Sequence, residues 1–174
     1  MTIKLKGLGH AIGVTYVHPT WQYTKPGVDE HIGWVFGSKG KEPLKSTAGF
    51  GSFPSHWGDS DPHLDSFSVR ELYEAANDSV GKYTVPILWD TKLNTIVNND
   101  SSEIIRILNS EFNDFAQNPD FDLFPDRSRK EIEAVNEWVY PTMNNGVYRC
   151  GFASSQEAYD IAIGKCTCSN YCML

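Results

Sequence analysis

The sequence predicts an α/β domain followed by an all-helical one, on three observations. Tyr83-Thr84-Val85-Pro86-Ile87-Leu88-Trp89-Asp90 and Thr95-Ile96-Val97-Asn98 are short, β-rich runs divided by turn residues, the pattern of a strand pair. Asp100-Ser101-Ser102-Glu103 then opens an apolar-periodic stretch, as a capped helix begins. Beyond Pro125 the remaining periodic segments repeat as helices do.

In chain order, Ile12-Gly13-Val14-Thr15-Tyr16-Val17 is expected to form a strand that ends at His18-Pro19-Thr20-Trp21. Residues 21–67 show almost no period and exceed an ordinary connection. Trp21, Trp34, Phe36, Phe50, Phe53 and Trp57 are too many aromatics for a disordered linker, so this segment is expected to pack, as a lid or an elaborated insertion. Ser68-Val69-Arg70-Glu71 reads as a capping box, the hydroxyl on the N3 amide and Glu71 reaching back, for a helix to about Ala76. The strand pair turns at residues 90–94. A helix from Asp100 to about Phe115 carries an apolar stripe of Ile104, Ile105, Ile107, Leu108 and Phe112. Residues 117–124 are polar and contain a proline, which places the boundary between domains at 1–117 and 118–174. Pro125 suits the first position of the next helix, whose inward face is Ile132, Val135, Trp138 and Val139. Met143-Asn144-Asn145-Gly146 is expected to break that helix, and Ser154-Ser155-Gln156-Glu157 to cap another that runs to about Ile161. From Lys165 onward the periodicity is lost.

The bulk properties exclude several classes. With a net charge of −7 the chain lacks the basic face that nucleic acid or an anionic membrane would need. No apolar run approaches the ~20 residues of a membrane span. Met1-Thr2-Ile3-Lys4-Leu5-Lys6 has no apolar core of a signal peptide, so the expected compartment is the cytoplasm and no disulfide framework is expected. Cys166, Cys168 and Cys172 could ligate zinc with a fourth partner, but no second cluster has ligand spacing, so no metal is expected. His10, His18, His31, His56 and His63 show no ligand spacing and read as loop or packing residues.

Several segments resemble the glutathionyl-hydroquinone reductases, also called Xi-class or Omega-like glutathione transferases. They are Leu5-Lys6-Gly7-Leu8, Val17-His18-Pro19-Thr20-Trp21, Gly33-Trp34-Val35-Phe36, Thr84-Val85-Pro86-Ile87-Leu88-Trp89-Asp90, Ile96 through Glu103, and Asn144-Asn145-Gly146-Val147-Tyr148-Arg149-Cys150-Gly151-Phe152-Ala153. The resemblance implies an incomplete thioredoxin-like glutathione-binding domain followed by the start of an all-helical transferase domain. It implies glutathione as co-substrate and quinone conjugates as partners; the family forms homodimers.

In that family a cysteine thiolate attacks the glutathione sulfur, releases the hydroquinone, and is regenerated by a second glutathione; such a thiol needs a lowered pKa, which a helix N-terminus supplies. The family's cysteine lies in a Cys-Pro-Trp segment at the start of the first helix. Here Met1-Thr2-Ile3 stands in place of most of that helix, and beyond residue 164 the chain departs from the family. The chain is therefore expected to be truncated at both ends, to lack the nucleophile and to be inactive. The alternatives are a non-catalytic glutathione-binding or interaction protein, and a fragment that does not fold stably.

Carried over from the family, Val85 offers its main chain to the glutathione cysteinyl unit, with Pro86 cis. Asp100 and Ser101 hold the γ-glutamyl end, Trp34 packs on glutathione, and Tyr148 lies near the hydroquinone. Cys150 has only Arg149 beside it and is not expected to substitute as nucleophile.

Overall fold

A computed structural model describes residues 1–38 and 40–171, which divide into a first unit, residues 1–121, and a second from Asp122 onward. The first unit opens with helix α1 (Thr2–Lys6). Gly7 ends it in the left-handed region (φ 67°), and Leu8 N–H closes back on Ile3 C=O at 2.8 Å, a Schellman-type stop that favours glycine. Glycine is required twice over, because a Cβ at Gly7 would stand 2.6 Å from Gln117 Cβ. Residues 117–121 lie along α1: Asn118 donates to Leu5 C=O, and the wholly buried Lys6 ammonium donates to Asn113 Oδ1, Pro119 C=O and Phe121 C=O. The first half of the expected linker is thus part of the first unit's packing.

The strand expected at residues 12–17 is absent. Those residues form no ladder; Ile12 N–H closes a turn onto Leu8 C=O, Tyr16 N–H binds Asp59 Oδ2, Asp59 N–H binds Tyr16 C=O, and His18 N–H binds Val35 C=O. The long segment that follows does pack, in pieces. Strands β1 (Gln22–Tyr23) and β2 (Ile32–Gly33) pair antiparallel, as do β3 (Leu44–Lys45) and β4 (Ser52–Phe53). Trp21 meets Trp34 edge-on at 5.4 Å and Phe53 meets Trp57 at 5.7 Å, whereas Phe50, between two left-handed glycines, is 84% exposed.

Helix α2 (Val69–Ala75) starts at Ser68, but the expected capping box does not form. Glu71 reaches back to Phe67 N–H at 2.9 Å, while the Ser68 hydroxyl makes no cap bond. Strands β5 (Leu88–Asp90) and β6 (Thr95–Asn98) form the expected hairpin, with an irregular register at Leu88/Trp89. Asp90 Oδ1 accepts from Lys92 and Leu93 N–H in the turn. Only the second half of the predicted run pairs; residues 83–87 stay outside the ladder.

Helix α3 (Ser101–Ser110) is shorter than expected, its stretch to Phe115 ending in a single 3-10 turn. Its stripe is narrower too: Ile104 and Leu108 are buried with Leu8, flanked by Ile3, Ile12, Leu88, Phe112 and Ala116, while Ile105 faces outward. Helix α1 packs on α3 and α2 on β6.

The second unit is helical. Pro125 precedes a 3-10 turn, after which come α4 (Arg129–Val139), a π turn (Tyr140–Asn144), α5 (Asn145–Gly151) and α6 (Gln156–Tyr171). The expected break at residues 143–146 is therefore a π turn, which accommodates Pro141 and its missing N–H without leaving the helical path. The face expected from Ile132, Val135, Trp138 and Val139 is only half-covered, and Val135 is exposed. At α6 the N-cap is Ser155, whose hydroxyl takes Ala158 N–H at 3.1 Å, so Glu157 does not close a box. The helix continues past Ile161 because no proline or further glycine after Gly164 interrupts it. Helix α5 packs on α6 through small residues, with Gly146 and Ala162 buried. Cys150 and Cys166 are free thiols; the side chains of Cys168 and Cys172 lie outside the described residues. Among the described residues no three His, Cys, Asp or Glu cluster to hold a metal, and no helix is long and apolar enough to cross a membrane.

Candidate functional site

The Val85–Pro86 peptide is cis. Val85 lies just before the ladder begins, so neither its N–H nor its C=O is bonded by another described residue. Both groups remain available to an extended chain laid alongside, as at an open sheet edge.

What precedes Val85 is held firmly. The hydroxyl of Tyr73, a buried α2 residue, donates to Thr84 C=O at 2.8 Å. Tyr83 is in the left-handed region (φ 40°), where His31 and Tyr73 meet its ring edge-on at 5.1 and 5.7 Å. Arg70 lies 5.5 Å from the Tyr83 ring centre and bonds Asp29 at 2.6 Å and Glu74 at 2.9 Å; Glu74 also takes Lys25 at 2.7 Å. The Arg70 bond to Asp29, and the Lys25 bond to Glu74 followed by that of Arg70, hold both carboxyls below the usual carboxylate range. The i,i+4 pair Arg70/Glu74 was visible in sequence, but its loop partners Lys25 and Asp29 were not.

The second element is the N-terminus of α3. Asp100 is its N-cap: Oδ1 accepts from Glu103 N–H at 2.9 Å, and Asp100 N–H binds Asn98 Oδ1 at 2.7 Å. The N–H groups of Ser101 and Ser102 and the Ser101 hydroxyl have no partner among the described residues. Free first-turn amides at the positive end of a helix attract a carboxylate, and the adjacent Asp100 carboxylate attracts an ammonium. Together they suit the zwitterionic head of an α-amino acid.

Asn99 joins the two elements. Its Nδ2 donates to Thr84 Oγ1 at 3.0 Å and to Tyr73 Oη at 2.9 Å. Asn99 lies within the Ile96–Glu103 segment, and nothing in the sequence alone sets it apart there. Trp34 is half-buried, edge-on to Trp21, with its C=O taking Val69 N–H; no hydrogen bond or ring contact among the described residues links it to Val85 or Asp100. Tyr148 belongs to the second unit, in α5; it is 67% exposed and lines a cleft of ≈520 Å³ with Arg149, Phe152 and Ile161. Within the first unit, a cleft of ≈550 Å³ is lined by Tyr73, Thr84 and Asn99 together with Asn77, Ser79 and Lys82, and not by Val85, Pro86, Asp100 or Ser101.

No family model matches the chain. Glutathione S-transferase omega-like 2 of Schizosaccharomyces pombe is 38% identical over 161 residues, 90% of this chain and 44% of that protein. The glutathionyl-hydroquinone reductase YqjG of Escherichia coli is 38% identical over 162 residues, 93% of this chain and 42% of that one. Among solved structures, glutathione-bound YqjG matches with a TM-score of 0.77 and 36% identity, over 99% of this chain and 48% of that chain. The Xi glutathione transferase ECM4 of Saccharomyces cerevisiae, in complex with glutathione, matches with a TM-score of 0.77 and 33% identity, over 95% of this chain and 51% of that one. The chain thus spans about half the length of the proteins it matches. The order of a mixed α/β unit followed by a helical one is that of the thioredoxin-like and helical domains of the Xi class. Across nearly all of its own length, the chain is a homologue of the Xi-class glutathione transferases, the glutathionyl-hydroquinone reductases among them.

Proposed function

We propose that the first unit binds glutathione. The Val85 N–H and C=O pair with its cysteinyl unit beside Pro86, Asp100 takes the γ-glutamyl ammonium, Ser101 and the free amides of α3 take the carboxylate, and Trp34 packs against the tripeptide. The observation that carries this reading is a juxtaposition: unbonded main-chain groups at Val85 and unbonded amides at α3 are tied together through Asn99 and Thr84. The complexes of YqjG and ECM4 with glutathione support it. The activity named for YqjG is reduction of glutathionyl-hydroquinones; toward it this chain contributes glutathione binding in the first unit and, in the second, a Tyr148 hydroxyl suited to a phenolic oxygen.

That chemistry needs a thiol of low pKa beside the glutathione sulfur. Cys150 lies in the last turn of α5 and Cys166 within α6; neither is at a helix N-terminus, and no Cys-Pro-Trp segment occurs in the chain. The 174 residues by themselves are therefore a glutathione-holding protein without turnover.

The test is an NMR titration of the isotope-labelled chain with glutathione, repeated on Asp100→Asn and Ser101→Ala. Asp100→Asn keeps a capping side chain and removes the charge, so the helix start survives. The reading expects amide shifts at residues 84–87 and 100–103 and about tenfold weaker binding on losing a charge-assisted bond. Binding that leaves those amides unmoved, or ignores Asp100→Asn, overturns it.

A further inference from the structure

We propose that Asn99 is a positioning residue for glutathione: a strut that sets the separation of the Val85 main chain from the α3 N-terminus without touching the ligand. The inference rests on the glutathione reading above.

The backbone ladder between β5 and β6 stops at the pair Leu88 and Asn98. Beyond it, residues 84–87 on one side and 99–101 on the other have no backbone bond between them. Within the described residues the hydrogen-bonded link across that gap is the Asn99 side chain, whose Nδ2 reaches Thr84 Oγ1 at 3.0 Å. Thr84 immediately precedes Val85, and Asn99 immediately precedes Asp100, so one side chain spans the two anchors one residue away from each.

The direction of the bonds follows from proton supply. The Tyr73 hydroxyl gives its proton to Thr84 C=O at 2.8 Å. Asn99 must then present its NH₂ to Tyr73 Oη, at 2.9 Å, and the second amide proton serves Thr84. Asparagine supplies two forked donors at this reach; aspartate would supply none. The hub sits inside the fold, because Tyr73 is buried on α2. A ligand engaged at both ends gains from having its two anchors already at the right distance, and loses that gain when they move independently.

The test is a double-mutant cycle on glutathione affinity, read by NMR, between Asn99→Leu and Asp100→Asn, with thermal midpoints measured alongside. In the wild-type background Asn99→Leu is expected to weaken glutathione by about three- to tenfold, the range of one or two lost hydrogen bonds. In the Asp100→Asn background, where one anchor is already cut, the same substitution should cost less than about twofold. Thr84→Val, which removes the direct bond and leaves the path through Tyr73 to Thr84 C=O, should show the same pattern at smaller size, and stands in if Asn99→Leu fails to fold. An equal loss in both backgrounds makes Asn99 an ordinary structural residue and overturns the strut. An unchanged affinity overturns it too, while leaving the glutathione reading standing. A wild-type chain that does not bind glutathione defeats that reading and the strut with it.

Discussion

Lys6→Met is expected to destabilise the first unit by about 2–4 kcal/mol, a balance of two large opposing terms. The Lys6 side chain is wholly buried, and its ammonium donates to Asn113 Oδ1 at 2.6 Å and to the carbonyls of Pro119 and Phe121 at 3.0 Å each. No carboxylate forms an ion pair with it among the described residues. Hydrogen bonds to a charged group contribute about 1.5–3 kcal/mol each, so three contribute roughly 5–9 kcal/mol. Taking an ammonium out of water costs several kcal/mol even after relaxation. Methionine fills a similar volume and removes both terms, but it leaves three oxygens without their donor. Those oxygens belong to exposed residues, so water recovers part of the loss. Urea unfolding followed by circular dichroism should show a lower midpoint at unchanged slope. A Lys6→Met protein as stable as the wild type, or more stable, refutes the reasoning: desolvation would then outweigh the three bonds, and residues 113–121 would be held by packing and by the Asn118 bonds to Leu5 and Lys6 C=O.

Other outcomes follow from the same physics. A Cβ at Gly37 would stand 2.1 Å from Ser55 O and 2.5 Å from Gly58 O, both backbone atoms, so Gly37→Ala should cost more than about 2 kcal/mol in a thermal melt, and an unchanged Tm would contradict it. Burial works against ionisation of Asp61, but the amides of His63, Ser66 and Leu64 and the Ser66 hydroxyl outweigh it; like Asp29 and Glu74, Asp61 is held below its ordinary value, 3.8 for Asp and 4.5 for Glu. Groups depressed in the folded state add stability that is complete above the ordinary carboxylate range and is lost as pH falls through their folded values. The Tm should therefore be level from about pH 7 to 5 and drop below about pH 4, with Asp61→Asn blunting the drop; a Tm that rises on acidification goes against the assignment. Finally, the 174-residue chain should not reduce glutathionyl-menadione, and turnover that persists through Cys150→Ser and alkylation controls would require another nucleophile.

Local signals proved readable where the answer is local. The turn at Asp90, the Asp100 cap, the apolar step from Ile104 to Leu108 and the helices after Pro125 depend on side chains within a few residues of one another. The misjudged segments depend on partners elsewhere. Residues 12–17 have strand composition, but a strand needs a neighbour to complete its hydrogen bonds, and Tyr16 and His18 found Asp59 and Val35 instead. The capping box that fails to form at Ser68 shows the same effect in miniature, since Val35 bridges to Ser68 and Glu71 binds one residue earlier, at Phe67.

By itself the sequence determined the kinds of chemistry present near Val85 and Asp100: an open main-chain edge beside a proline, and an acidic cap with free amides behind it. Only the tertiary structure decided how those pieces face one another, because Tyr73 arrives from α2, Thr84 from before β5 and Asn99 from after β6, and their hydrogen bonds close over separations that no residue-to-residue pattern encodes. The burial of Lys6 under residues 113–121 was decided in the same way, since an ammonium leaves water only where distant carbonyls converge on it.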